Sequence, residues 1–230
     1  MWGVDVFIGH YAVALAAKRV APRTSLGTLF AAASLADLLW PFFLLAGWEE
    51  AHVVPGPNPF LTLWLDSFPI SHSLLTLMGW GLLFAFLYLM RTGDGRAAVV
   101  VALLVVSHWV LDWITHRPDM PLYPGGTPFG LGLWNSVAGT VVTECGMFIA
   151  GVWLYATATR ARDGVGRYGF WSLIVVLLLS YAASLFTPPP PTQRALAIGG
   201  ISFGWLFVVW AGWGDKHRQG VALPATPHSS

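Results

Sequence analysis

Asp37, Asp112 and Glu144 stand inside long apolar stretches of this chain, and four histidines, His10, His72, His108 and His116, occupy the same or neighbouring stretches. A charged side chain at a bilayer centre costs roughly 2.5–3.5 kcal/mol on insertion scales. No lysine or arginine lies within these stretches to neutralise the acids. Either the carboxyls stay protonated or a cation from outside the chain supplies the missing charge. Imidazole and carboxylate together make the N/O ligand set that suits zinc and related divalent metals. His108, Asp112 and His116 recur at i, i+4 and i+8, which places them along one face of a helix. The first two form an H-x-x-x-D pair able to aim two ligands at one ion. The chemistry these residue types could do is the binding of a divalent metal.

Such side chains need a scaffold, and composition says which kind. Charged residues make up 10% of the 230-residue chain and apolar ones 56%, with 13 tryptophans and 14 phenylalanines. Soluble domains carry about 25% charged residues, and this much apolar surface in water would form large exposed patches. A soluble globule, a disordered chain and a disulfide scaffold are excluded, the last because Cys145 is the single cysteine. A net charge of +1 leaves no basic surplus for phosphates, so nucleic acid is not an expected partner. The expected fold class is an all-α polytopic membrane helix bundle, with the lipid bilayer as its partner.

About 20 mainly apolar residues cross a bilayer as a helix. Residues 26–45, 72–90, 97–115, 133–156, 168–186 and 195–213 meet that length, and the shorter stretch 2–17, with Asp5 and His10, reads as a short or tilted first span. Lys18 and Arg19 follow that stretch rather than precede it, unlike a signal peptide. Seven spans result. Ten of the twelve lysines and arginines fall after the first, third, fifth and seventh, leaving only Arg117 and Arg194 elsewhere. The positive-inside rule then puts the N-terminus outside and the C-terminus in the cytoplasm. The expected organisation is one transmembrane domain over 1–213, with site-bearing helices in 1–160. A scaffold pair in 168–213 lacks ionisable residues in its apolar bodies, and 214–230 reads as a flexible cytoplasmic tail.

Local signals place the candidate ligands. Asp37 falls mid-span in 26–45, and His72 falls in the first turn of the third span with Ser71 as its cap. Pro118 disfavours helical geometry at Arg117, so the fourth span should stop near His116. Glu49, Glu50 and His52 read as a solvated outer loop, and Trp48, Trp64, Trp113 and Trp134 as an interfacial belt. Ser136, Thr140 and Thr143 read as hydroxyls that help helices pack.

The run Ser107-His108-Trp109-Val110-Leu111-Asp112-Trp113-Ile114-Thr115-His116-Arg117-Pro118-Asp119-Met120-Pro121-Leu122, with Gly9-His10, Ala36-Asp37 and Ser71-His72-Ser73 upstream, carries a family resemblance. It resembles the predicted membrane-bound metal-dependent hydrolases, a group that includes inner-membrane proteins described as LexA-binding. The order His, Asp, His, then H-x-x-x-D is also similar to the zinc-dependent phospholipase C and single-strand nuclease superfamily. There such residues hold zinc ions that cleave phosphodiesters. The resemblance covers roughly residues 3–125. It implies His10, Asp37, His72, His108 and Asp112 as metal ligands, Asp112 as a bridge between two ions, and His116 and Glu144 as part of a further metal position. Thr140 stands where the superfamily has a histidine four residues before Glu144.

The resulting expectation is a membrane-embedded hydrolase in a bacterial or archaeal cytoplasmic (inner) membrane, using one or two zinc-type ions on a phosphoester or lipid-like amphipathic substrate. Asp119 or Glu144 would serve as general base, and Arg117 would stabilise anionic charge in the transition state. Two other readings stay open: a proton- or metal-coupled transporter, because intramembrane Asp, Glu and His chains also relay protons, and a non-catalytic membrane protein with a structural metal site.

Overall fold

Polar caps start most of the helices. In the computed structural model, which describes residues 8–54 and 56–221, α1 is Ile8–Ala17 and α2 is Leu26–Ala33, the latter begun by Ser25, whose side chain accepts from Thr28 N. Ser73, Asp94, Ser136, Asp163 and Thr192 do the same for α4 (Leu74–Thr92), α5 (Gly95–Thr115), α6 (Val137–Ala158), α7 (Gly164–Ser184) and α8 (Gln193–Lys216). Each cap supplies an acceptor that the first N–H groups of a helix lack. α3 (Leu35–Ala46) and α4 end at Gly47 and Gly93, both left-handed at φ 70°, a conformation that favours glycine.

Five helices, α4 to α8, are long and apolar enough to cross a bilayer; α2 and α3 make a sixth candidate, bent by 58° at Ser34. Of the expected stretches, five thus each contain one long α-helix, 26–45 is divided, and the described part of 2–17 is a ten-residue helix. Leu82, Phe86 and Met90 on α4, Ile149 and Trp153 on α6, and Val209 on α8 are exposed. Such a surface suits hydrocarbon rather than water, while the helices satisfy their own backbone groups, as a membrane demands. The molecule is an all-α bundle of membrane character.

Helices close on one another where glycine removes a side chain. α1 packs on α6 and α2, α4 on α5, and α8 on α2, α3 and α7. A Cβ at Gly27 would lie 2.7 Å from Val208 O, and one at Gly151 would collide with the Ala12 carbonyl. Three small antiparallel ladders join the helices: β1 (Glu50–Val53) with β2 (Leu63–Ser67), β3 (Met120–Pro121) with β4 (Pro128–Phe129), and β5 (Thr159–Ala161) with β6 (Arg218–Gly220).

Three local expectations need correction. The fourth span does stop at His116, its C-cap, but His72 precedes α4 instead of entering it, because Ser73 is the residue whose hydroxyl caps. The expected fifth span, 133–156, opens with a short 3-10 turn, Leu133–Asn135, before α6 begins. The expected flexible tail is structured as far as Val221, since α8 continues to Lys216 and β6 pairs with β5; residues 222–230 lie outside the described residues. Asp5 lies outside them too.

Candidate metal centre

The bend between α2 and α3 builds the site. Ser34 leaves helical geometry (φ −110°, ψ 19°), so Asp37 lies in the first turn of α3 rather than mid-span. There the partial positive charge of a helix N-terminus favours a carboxylate. At the same bend the Ala33 carbonyl accepts from His108 Nδ1 at 2.9 Å. A carbonyl has no proton to give, so Nδ1 carries the hydrogen, and in neutral imidazole Nε2 is left with its lone pair.

His108 Nε2 lies 3.1 Å from Asp112 Oδ2 and 3.6 Å from Asp37 Oδ1, is buried, and makes no hydrogen bond among the described residues. His10 Nε2 sits 3.1 Å from Asp112 Oδ1, and its ring stacks on that of His108 with centroids 3.9 Å apart. His72 Nε2 is 3.5 Å from Asp37 Oδ1. Two donor groups therefore form, His10–His108–Asp112 and Asp37–His72–His108, in each of which one ligand atom per residue lies within 4.8 Å of the others. Among the described residues no lysine or arginine pairs with Asp37 or Asp112. The donor set fits a divalent cation: imidazoles and carboxylates converge, and a buried ring nitrogen with no hydrogen bond among the described residues sits between two carboxylates.

The centre opens on a cavity of about 100 Å³. Asp37, His72, Asp112 and His116 form its polar wall, while Trp40 on α3 and Phe203 and Phe207 on α8 belong to the apolar one. It is smaller than the apolar cavity of about 150 Å³ that holds benzene. The asymmetry of the side-chain exposure is informative: Asp37 is 44% accessible and Asp112 only 5%. Asp37 thus borders the open space and Asp112 the packed interior. Trp40 also brings a buried indole N–H that finds no acceptor among the described residues. The pair 168–213 is not scaffold alone, since α8 walls the cavity. Gly200 and Gly204 permit this, because a Cβ at either would lie 2.9 Å from Pro41 or Leu38 of α3.

The remaining candidate residues lie around this centre. His116 lines the cavity but belongs to neither donor group; its Nδ1 is 2.9 Å from Asp119 Oδ1, and its ring packs on Trp134 with centroids 3.9 Å apart. Trp134 is buried and is therefore not part of an interfacial belt. Arg117 contacts Asp119 Oδ2 at 3.2 Å, donates to the Leu63 carbonyl and lies over the Trp64 ring. Neither Arg117 nor Asp119 lines the cavity. Glu144 is buried and accepts from Gly9 N at 2.7 Å, in the first turn of α1. It lines a second cavity, of about 40 Å³, with His10 and Asp112. Gly9 permits this approach, since a Cβ there would lie 3.2 Å from Glu144 Oε1.

Glu49 was expected in a solvated loop and is instead completely buried. Its Oε1 accepts from Ile70 N (2.7 Å) and Ser71 N (2.8 Å), and its Oε2 accepts from Ser71 Oγ (2.6 Å). The sequence signal that pointed here was Ser71 itself, read as a helix cap; its hydroxyl serves this network and Ser73 does the capping. Trp40 carried no signal apart from its neighbourhood to Asp37.

No protein-family model, curated protein or solved structure matches this chain.

Proposed function

We propose that this protein is a membrane-embedded, metal-dependent hydrolase of a phosphoester or lipid-like substrate, holding one or two zinc-type ions and seated in a bacterial or archaeal inner membrane. One observation carries the reading: two carboxylates and three imidazoles converge, with Asp37, His72 and Asp112 on the wall of a cavity and no lysine or arginine among the described residues paired with either acid. A divalent ion bound there would supply a Lewis acid and a water of lowered pKa. His10, His108 and Asp112 would hold it, with Asp37 and His72 completing the set or serving a second ion. One imidazole nitrogen ligates one ion at a time, so only one of two ions would use His108 Nε2.

The chain supplies the rest. Asp119 orients His116 through Nδ1, leaving Nε2 to exchange a proton with the reacting group, so His116 is the proton carrier and Asp119 its positioning residue. Arg117 ties its loop to Leu63, a cavity residue, and Trp40 N–H offers a donor to a substrate oxygen. Glu144 lies behind His10 and Asp112, on the side of the smaller cavity. The wall from α3 and α8 takes the apolar part of an amphipathic substrate and keeps bulk water away.

The test uses protein purified in detergent without added chelator. Elemental analysis is expected to find about one or two zinc-type ions per chain, and a panel of lipid and soluble phosphoesters to reveal hydrolysis. Asp112→Asn should lose both the metal and at least 10²-fold in activity. Undiminished metal and turnover in that variant overturn the reading. Metal without turnover on any phosphoester would favour a structural clip, and metal-driven flux in liposomes a transporter.

A further inference from the structure

We infer that Glu49 is a positioning residue of this centre: acting through Ser71, it fixes His72 with its proton on Nδ1 and its Nε2 lone pair toward Asp37. The argument is a count of protons. Ser71 Oγ has one hydrogen, and Glu49 Oε2 at 2.6 Å takes it, because that carboxylate is surrounded by donors: Ile70 N and Ser71 N already occupy Oε1. Oγ is left with lone pairs only. His72 Nδ1, also 2.6 Å from Oγ, must therefore donate. A neutral imidazole carries one such hydrogen, so His72 Nε2 is bare. It faces Asp37 Oδ1 at 3.5 Å, two electron-rich atoms with no hydrogen between them, an arrangement that waits for a cation.

His108 reaches the same state by a different route, through the Ala33 carbonyl. The two rings thus present bare nitrogens for independent reasons, one local to a helix bend and one relayed from a loop. Glu49 also follows closely on Gly47, the residue that ends α3, the helix that carries Asp37. One carboxylate therefore ties the end of that helix to the turn bearing His72. Outer-shell partners of this kind usually change metal affinity 10–100-fold when removed.

The inference rests on the metal reading above, and its test separates the two. Histidine-selective 15N labelling reports the proton position on each ring in metal-free protein, with His72→Gln identifying the His72 signals. The expected wild-type state is Nδ1–H with an unprotonated Nε2. Glu49→Gln preserves shape but brings an amide N–H that can donate to Ser71 Oγ; the hydroxyl then turns toward Nδ1, and the proton moves to Nε2. Zinc titration against a competing chelator should show 10–100-fold weaker binding in Glu49→Gln and Ser71→Ala, with Ser71→Thr restoring it. An Nε2 proton in the wild type, or an unchanged ring state and zinc affinity in both variants, overturns the inference. A wild type with the expected ring state that binds no zinc leaves the positioning role standing and defeats the metal reading instead.

Discussion

Two buried carboxylate clusters lie along α1, and they solve the same electrostatic problem in opposite ways. Near the end of the helix, Asp215 accepts from Lys18 Nζ at 2.6 Å, Tyr155 OH at 2.5 Å and Leu26 N at 3.0 Å. Lys18 gives a further hydrogen bond to Thr24 O. The chain brings its own cation and fills every lone pair it can. Eight residues earlier, about 12 Å along the helix axis, His10 faces Asp112, with which no lysine or arginine among the described residues pairs. A buried ion pair that is fully hydrogen-bonded holds a fold together. Asp112 instead faces imidazoles, beside a cavity that it lines. Burial does not separate the two clusters, since Asp112 and Asp215 are both buried; the supply of a cation does.

The largest expected effect breaks the filled cluster. Lys18→Met strands Asp215 without its cation and should cost about 3–5 kcal/mol, read as a lower unfolding temperature in detergent that zinc does not restore. Next comes the other cluster. Chelation of the wild type should lower stability, and zinc at about 100 times its dissociation constant should return roughly 2.7 kcal/mol. Asp112→Asn should abolish that response while leaving the metal-free protein no less stable than metal-free wild type, because one uncompensated acceptor has been removed. A zinc response of equal size in both proteins would erase the distinction between the clusters.

The smallest effect concerns an exposed acid outside the membrane helices. Asp163 caps α7 and is held below its ordinary value of 3.8, first by the Gly166 N–H and then by His217, whose Nδ1 lies 2.7 Å away. A depressed carboxyl contributes stability above its ordinary pKa and loses it as pH falls through the lowered one. The acid limb of an unfolding-temperature profile should therefore flatten slightly in Asp163→Asn. No change in that limb would leave the cap as a purely local device.

The candidate ligands were legible because their types and spacing are unusual for apolar stretches: His108 and Asp112 one helical turn apart, with His10, Asp37 and His72 upstream. Glu144 was legible only in part. Its sequence suggests a third acid in want of a cation, yet a backbone N–H from α1 answers it. Glu49 was misread because a carboxylate among loop residues looks solvated, and only the fold of β1 and β2 seals it against Ser71. The span 26–45 has no proline or glycine at Ser34 to announce a bend, so periodicity alone continues it.

By itself the sequence determined the solvent and the shortage. Apolar composition requires bilayer-like surroundings, and the absence of Lys and Arg from the apolar stretches leaves Asp37, Asp112 and Glu144 short of positive charge; both follow from counting and need no coordinates. Tertiary structure decided which acids remain short. Hydrogen bonds and ion pairs act over about 3 Å, so only the packing of α1, α5, α6 and α8 could assign a backbone donor to Glu144, a lysine to Asp215, and neither to Asp112.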